Sequence, residues 1–378
     1  MYGEKKIGVV TTSRADFGIY QPLIRSLNDL PNVDVELIAL GAHFFKNQGN
    51  TIEEVRKFDY LVIHEIPGLT ESTDLLDISN NFSLVIQTMG EFWKDHLYFD
   101  IVFVLGDRYE MAAVVLAGVP FSIHFAHLHG GEVTLGATDQ LYRDTISSAS
   151  KVHFTATERA KERVLSLLAP FTDRKVFCTG SVVLNTISTT VDLSAQEFFQ
   201  QFGFDIHQNF VLVTIHPETM YLHQSDSQLR EFVSALDWIL NCTQDAILIT
   251  LPNADAGASP WREAFLKLSQ EFERVRCYEN LGVIGYYTAM RSCSYMLGNS
   301  SSGIIESATA KAWSINVGDR QLGREQSANT FSVPFASDKI IEQIQKLPDV
   351  KYTGDNVYGN GDAVAKIVAF VLERWREI

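Results

Sequence analysis

The 378-residue sequence has few cysteines, little positive charge and no long apolar run. Cys178, Cys242, Cys277 and Cys293 are scattered with no C-x-x-C pair, which fits a reducing compartment and gives no structural zinc site. No run of ~18 apolar residues exists, so no membrane-spanning helix is expected. The apolar stretch after Lys5 and Lys6, Ile7 to Val10, is too short for a signal-peptide core, which makes the cytoplasm the expected compartment. A net charge of -15 excludes general nucleic-acid binding, which needs a basic face. It leaves room for an anionic ligand held locally by arginines and helix N-termini. No G-x-G-x-x-G follows a strand, so dinucleotide binding is unsupported. Gly298-x-x-x-x-Gly303 has the glycine spacing of a P-loop, but Ile304 and Ile305 stand where lysine and Ser/Thr belong. No cofactor is expected.

What is present is a packed α/β pattern. Hydrophobic residues make up 46% and charged residues 20%, and the length suits two domains, since single cores stop growing near roughly 250–300 residues. Strands are predicted at Ile7–Thr12, Val35–Leu40, Leu61–Ile66, Asp100–Leu105, Phe121–Ala126, Lys151–Thr155 and Lys175–Thr179. The pattern restarts with strands at Phe210–Ile215, Ala246–Leu251, Val275–Tyr278, Tyr295–Leu297 and, last, Ala312–Val317. Helical spacing lies between them, which implies parallel βαβ units. The expected architecture is two Rossmann-like, doubly wound domains facing a cleft: 1–187, 188–361, and a terminal helix at 362–378 crossing back to the first domain.

The chemistry concentrates at strand ends, where open α/β sheets bind ligands. Asp107 and Arg108 follow Gly106, and Glu132 follows Gly130-Gly131 at the next strand end. Asp139 and Arg143 stand four apart, on one helix face, as a candidate surface ion pair. Carboxylates in different environments can divide into acid and base. His124, His127 and His129 raise a metal site, but an orienting role for one histidine fits better, and no metal is expected. In the second half, Ser301, Ser302 and Gly303 open a predicted helix over Ile304–Lys311, suited to gripping a phosphate or simply to capping. Glu306 can hold a ribose diol or complete a capping box. Arg320 suits a phosphate, and Arg14 and His216 also sit at strand ends.

Taken in order, these motifs resemble the hydrolysing UDP-N-acetylglucosamine 2-epimerases. The matching segments are Thr12–Gly18, Leu105–Glu110, His127–Glu132, Asp139–Arg143, Ile215–Thr219, Pro252–Asp255, Gly298–Glu306 and Gly318–Arg324. The resemblance implies a glycosyltransferase-B-like fold, a UDP-sugar substrate and a homodimer. It implies that Arg14, His216, Asn253, Ser301, Ser302, Gly303, Glu306 and Arg320 hold the uridine diphosphate. Asp107, Glu132 and Asp139 then surround the sugar as catalytic carboxylates, with Arg108 and Arg143 nearby. Ile146-Ser147-Ser148 and Gln140 depart from the usual residues, which leaves the sugar open: N-acetylglucosamine, or a 2,4-diacetamido-6-deoxy relative of the legionaminic-acid type. A non-hydrolysing 2-epimerase, a glycosyltransferase of the same fold and a UDP-sugar sensor without turnover are the other readings.

Overall fold

Strand β1 (Lys5–Thr11) shows how the first half is built. Ile7 and Val9 enter one apolar core, while Val10 enters a second on the opposite face. Alternation that is apolar on both sides is the mark of a strand covered by helices on both faces. The computed structural model describes residues 5–46, 49–71, 74–133, 139–169, 171, 173–218, 223–252 and 257–373. Among them the first unit holds 5–133, 139–186 and 361–373, and the second holds 187–360.

In the first unit β1 is joined by β2 (Val33–Leu40), β3 (Val62–Ile66), β4 (Ile101–Leu105), β5 (Phe125–Leu128), β6 (Val152–Thr155) and β7 (Lys175–Cys178). The sheet is parallel, in the order β3-β2-β1-β4-β5-β6-β7. One face is sealed by the helix Arg14–Asn28 and by the last helix, Ala363–Glu373, whose Ile367 and Phe370 share the core of Ile7 and Val9. Leu75–Asp95 and Tyr109–Gly118 seal the other face around the fully buried Trp93. Burying one such side chain contributes about 2–3 kcal/mol.

The second unit repeats the plan with β8 (Phe210–Thr214), β9 (Ala246–Thr250), β10 (Val275–Tyr278), β11 (Tyr295–Gly298), β12 (Trp313–Val317) and β13 (Thr330–Val333). Its parallel order is β10-β9-β8-β11-β12-β13. The architecture is two-domain α/β, with two parallel sheets and interleaved helices.

Several sequence expectations are corrected. Strand β5 begins at Phe125 rather than Phe121, because Val119–Phe121 form a 3-10 turn and Ser122 adopts a left-handed φ of 56°. Ala312–Val317 is not the last strand: β13 pairs with β12 at the sheet edge. The helix expected over Ile304–Lys311 is a single turn, Ser302–Ile305. It stops because the Ser307 N–H reaches back to the Ser302 carbonyl and its hydroxyl donates to the Gly303 carbonyl. The helical dipole expected there is therefore small. No described helix is long and apolar enough to cross a membrane.

Candidate active site

Each sheet reverses its strand order once, between β1 and β4 and between β8 and β11. Such a reversal opens a crevice beyond the carboxyl ends of the two strands, where α/β proteins bind ligands. Arg14 and Asp107 follow the two strands of the first reversal, and His216 and Ser301 follow those of the second.

In the first unit, the turn after β1 is tied down by Asp16. It accepts from the backbone of Thr12 (2.8 Å) and Ser13 (2.9 Å) and from the hydroxyls of Thr11 (2.9 Å) and Thr12 (2.8 Å). This closes a capping box on Ser13 and leaves Arg14 exposed on the first helical turn, 3.8 Å from Glu54. Across the reversal, Gly106 takes a φ of 78°, and its N–H donates to Leu128. Asp107 and Arg108 follow. Arg108 donates to the buried Glu110 (2.7 and 3.2 Å). Arg143, only 3% exposed, donates through Nη2 to Asp107. The hydrogen bond of Arg143 thus goes to the partly exposed Asp107, while Asp139, the surface partner the spacing offered, feels its charge only at longer range. Asp139 opens the helix Asp139–Ala149 close by. Partial enclosure, then the charge of Asp107, push its carboxyl up, although its edge remains open to solvent.

The three histidines separate. His124 precedes β5 and is partly exposed. His127 is fully buried: Nε2 donates to the Gly106 carbonyl (2.9 Å) and Nδ1 accepts from Ser147 (3.0 Å). Burial holds it down to about 3, so it is neutral and structural. His129 Nδ1 lies 2.9 Å from Glu132 Oε1, and Glu132 is 7% exposed. Among the described residues no group of three or more His, Cys, Asp or Glu is placed to hold a metal. The double glycine before Glu132 is sterically required. A Cβ on Gly131 (φ 79°) would sit 2.2 Å from the Ala160 carbonyl, and one on Gly130 2.9 Å from His127 Nδ1.

In the second unit, Asn299 clamps the two strand ends together. Its side chain accepts from the His216 N–H and donates to the His216 carbonyl, both at 2.8 Å. His216 is 9% exposed, and its buried Nδ1 has no partner among the described residues. Burial and then the Arg320 charge push it down to about 4, so the imidazole is neutral. Arg320 donates to the Asn299 carbonyl (3.2 Å). Ser302 shares hydrogen bonds with Tyr286 (2.7 Å) and Ser300 (3.0 Å), and Gly303 admits Ser314 Oγ 2.8 Å from where a Cβ would stand. Ser301 stands beside them at the N-cap with no side-chain capping bond. Asn253 lies outside the described residues.

Sequence reasoning missed Glu218 and Tyr287. Glu218 accepts from the N–H groups of Asp319 (2.5 Å) and Arg320 (2.9 Å) and so fixes the loop that carries Arg320. Its position two residues past His216 was the available signal. Tyr287 donates to Glu306 Oε1 (2.7 Å) and had none.

Burial pushes Glu306 from its ordinary range up to about 7. Between pH 4.5 and 7 the unfolded chain ionises this carboxyl while the folded chain does not, so stability falls as pH rises. The loss is about 3 kcal/mol, at ~1.4 kcal/mol per pK unit. Glu306→Gln is expected to remove that loss, read from urea midpoints at pH 5 and pH 8. Equal pH slopes in both chains would exclude a buried protonated Glu306.

The profile of the family described as UDP-N-acetylglucosamine 2-epimerase matches residues 25–372. The chain belongs to this family. It is 32% identical to the polysialic acid biosynthesis protein P7 of Escherichia coli, over 98% of this chain and 94% of that one. It is 30% identical to a GDP/UDP-N,N'-diacetylbacillosamine 2-epimerase (hydrolyzing) of Campylobacter jejuni, over 90% and 88%. Its fold matches the Neisseria meningitidis UDP-GlcNAc 2-epimerase solved with UDP-GlcNAc, with a TM-score of 0.80 at 17% identity over 98% of this chain and 100% of that one. The family's glycosyltransferase-B-like fold is thus the fold of this chain.

Proposed function

We propose that this member of the family is a hydrolysing UDP-N-acetylglucosamine 2-epimerase, converting UDP-N-acetylglucosamine and water to N-acetylmannosamine and UDP. The observation that carries the reading is the content of the two strand-order reversals. The second unit offers phosphate donors: neutral His216 with a free buried nitrogen, Arg320, and the loop from Asn299 to Gly303. The first offers carboxylates: Asp107 against Arg143, Glu132 against His129, and Asp139. In this reading Glu306 takes the ribose, and Arg14, Arg108 and Asn253 add donors. No cofactor is needed. The working form is a cytoplasmic homodimer.

Chemistry follows from the substrate. The C2 proton is not beside a carbonyl and is weakly acidic, so departure of UDP leads. The C1–O bond breaks with its electron pair leaving on the diphosphate, where arginines and N–H donors stabilise the growing charge. A carboxylate takes the C2 proton and the C1=C2 bond of a 2-acetamidoglucal forms. Water then adds at C1, giving its proton to a carboxylate, and C2 is protonated on its other face. Glu132 and Asp107 are assigned as base and acid, with Asp139 assisting.

The test is turnover in heavy water. Release of UDP with free N-acetylmannosamine deuterated at C2 is expected. Intact epimerised UDP-sugar would mean a non-hydrolysing enzyme, product without deuterium would remove the elimination step, and UDP bound without turnover would mean a sensor. The names of two relatives at 30% identity favour a second reading, the same reaction on UDP-N,N'-diacetylbacillosamine. Relative kcat/KM for the two nucleotide sugars decides between them.

A further inference from the structure

We propose that Tyr287 is a positioning residue for nucleoside recognition, turning the Glu306 carboxyl so that its second oxygen, Oε2, accepts from the ribose of the substrate. The inference rests on the reading above in which Glu306 takes the ribose, and it names the residue that sets that contact. Tyr287 lies on the helix Gly282–Ser292, and its hydroxyl donates to Glu306 Oε1 at 2.7 Å. Both residues are enclosed, Tyr287 at 7% exposure and Glu306 at 9%. Oε2 has no hydrogen-bond partner among the described residues.

The backbone that carries Glu306 is braced without this bond. Asn356 donates to the Ile305 carbonyl (2.7 Å). Asn329 donates to the Ser307 hydroxyl (2.8 Å), which itself donates to the Gly303 carbonyl (2.7 Å). At the start of the turn Ser302–Ile305, Tyr286 shares a hydrogen bond with Ser302 (2.7 Å). Neighbouring tyrosines thus reach the two ends of one helical turn. Tyr286 meets the loop assigned to the diphosphate, whereas Tyr287 meets the carboxyl assigned to the ribose. Removing the Tyr287 hydroxyl therefore releases one carboxyl and leaves the turn in place.

The surroundings of Glu306 decide which chemistry Oε2 fits. A buried carboxylate is costly unless it is hydrogen-bonded or paired with charge. Among the described residues no cation is set against Glu306; burial and the Tyr287 hydroxyl alone act on it. Arg291, the basic residue in the last turn of the same helix, is bound to Asp192 and to the Ile187 carbonyl. Burial, then the Glu306 charge, push the Tyr287 phenol up, so it stays a donor. A carboxylate with one neutral donor and no cation is completed by further neutral O–H groups, and the vicinal diol of a ribose supplies two.

The experiment compares Tyr287→Phe with wild type in the full chain, by calorimetry with UDP and with its 2′,3′-dideoxy analogue. It is run at pH 8, above the raised carboxyl of Glu306 at about 7. Phenylalanine keeps the ring and loses only the hydroxyl. Wild type is expected to prefer UDP by about 30-fold, within the range for hydrogen bonds to a charged group. In Tyr287→Phe the preference falls to about threefold, with UDP about tenfold weaker and the analogue within about twofold of wild type. In a Glu306→Ala chain, adding Tyr287→Phe weakens UDP no further, as for two residues that act as one unit. A Tyr287→Phe chain that keeps the full preference, or loses both nucleotides equally, overturns the proposal and leaves the ribose assignment standing. Further weakening in the Glu306→Ala chain overturns it too. Wild type that binds both nucleotides alike removes the ribose assignment and the proposal with it, and wild type with no affinity for UDP removes the epimerase reading itself.

Discussion

Asp107→Asn is expected to lower kcat by about 1,000-fold while leaving UDP affinity nearly unchanged, within the range of a lost general acid or base. The geometry makes this more than loss of one carboxylate. Arg143 is 3% exposed and its Nη2 donates to Asp107. The amide keeps an acceptor oxygen but removes the countercharge. Breaking a buried pair from one side costs about 3–5 kcal/mol, and because Asp107 itself is 25% exposed the lower end applies, about 3 kcal/mol. Stability and catalysis can therefore be separated. Asp107→Asn combined with Arg143→Met removes the orphaned charge and is expected to regain most of the lost stability, since apolar replacement of a whole buried pair is near neutral. It regains no activity. Urea midpoints and steady-state rates on the two variants check both halves. An active double variant would show that Asp107 serves only to hold Arg143, and the catalytic assignment would pass to Glu132 and Asp139.

Much of the fold is legible because its central strands are continuous apolar runs that stop at polar strand ends. Ile101–Leu105 before Gly106 and Phe210–Thr214 before His216 are of this kind. Strand β13 was missed because Thr330–Val333 is four residues long, at a sheet edge, and only one of the four is buried. The helix Tyr109–Gly118 carries Ala and Val nearly all round and is buried on most sides, so it shows little helical periodicity. In the site, Asp107, Glu132, His216 and Glu306 could be read as polar residues stranded just beyond apolar runs. What holds them could not. Glu218 meets the Asp319 N–H 101 residues later, Ser181 meets His129 across 52, and Arg143 donates to Asp107, 36 residues away, rather than to Asp139, four away. Helical spacing allowed the local pair, but tertiary packing decided against it, because the buried guanidinium needed the partner at the sheet end.

Gly298→Ala is expected to give the largest loss in the second unit. Gly298 ends β11 with a φ of 149°, paired with Thr214 of β8. An added Cβ would lie 2.0 Å from the Thr214 carbonyl oxygen and 2.6 Å from its carbon. Both are backbone atoms in the middle of a sheet, so no rotamer change relieves the overlap, and β11 must draw away from β8. That separation also breaks the Asn299 N–H bond to Thr214 (3.1 Å) and strains both bonds of the Asn299–His216 clamp. The expected outcome is a loss of about 3 kcal/mol or more, in the range set by backbone strain and lost buried hydrogen bonds together. UDP affinity is expected to fall at least ~10-fold, as expected if those lost bonds amount to about 1.4 kcal/mol in the bound state. Gly303→Ala is the comparison: its Cβ would meet only the Ser314 hydroxyl, at 2.8 Å, and a side chain can turn aside. Its expected loss is about 1 kcal/mol. Urea unfolding and calorimetry with UDP rank the two. A Gly298→Ala chain that binds UDP like the wild type would show that the loop from Gly298 to Gly303 does not grip the diphosphate, and Arg320 and His216 would have to do so without it.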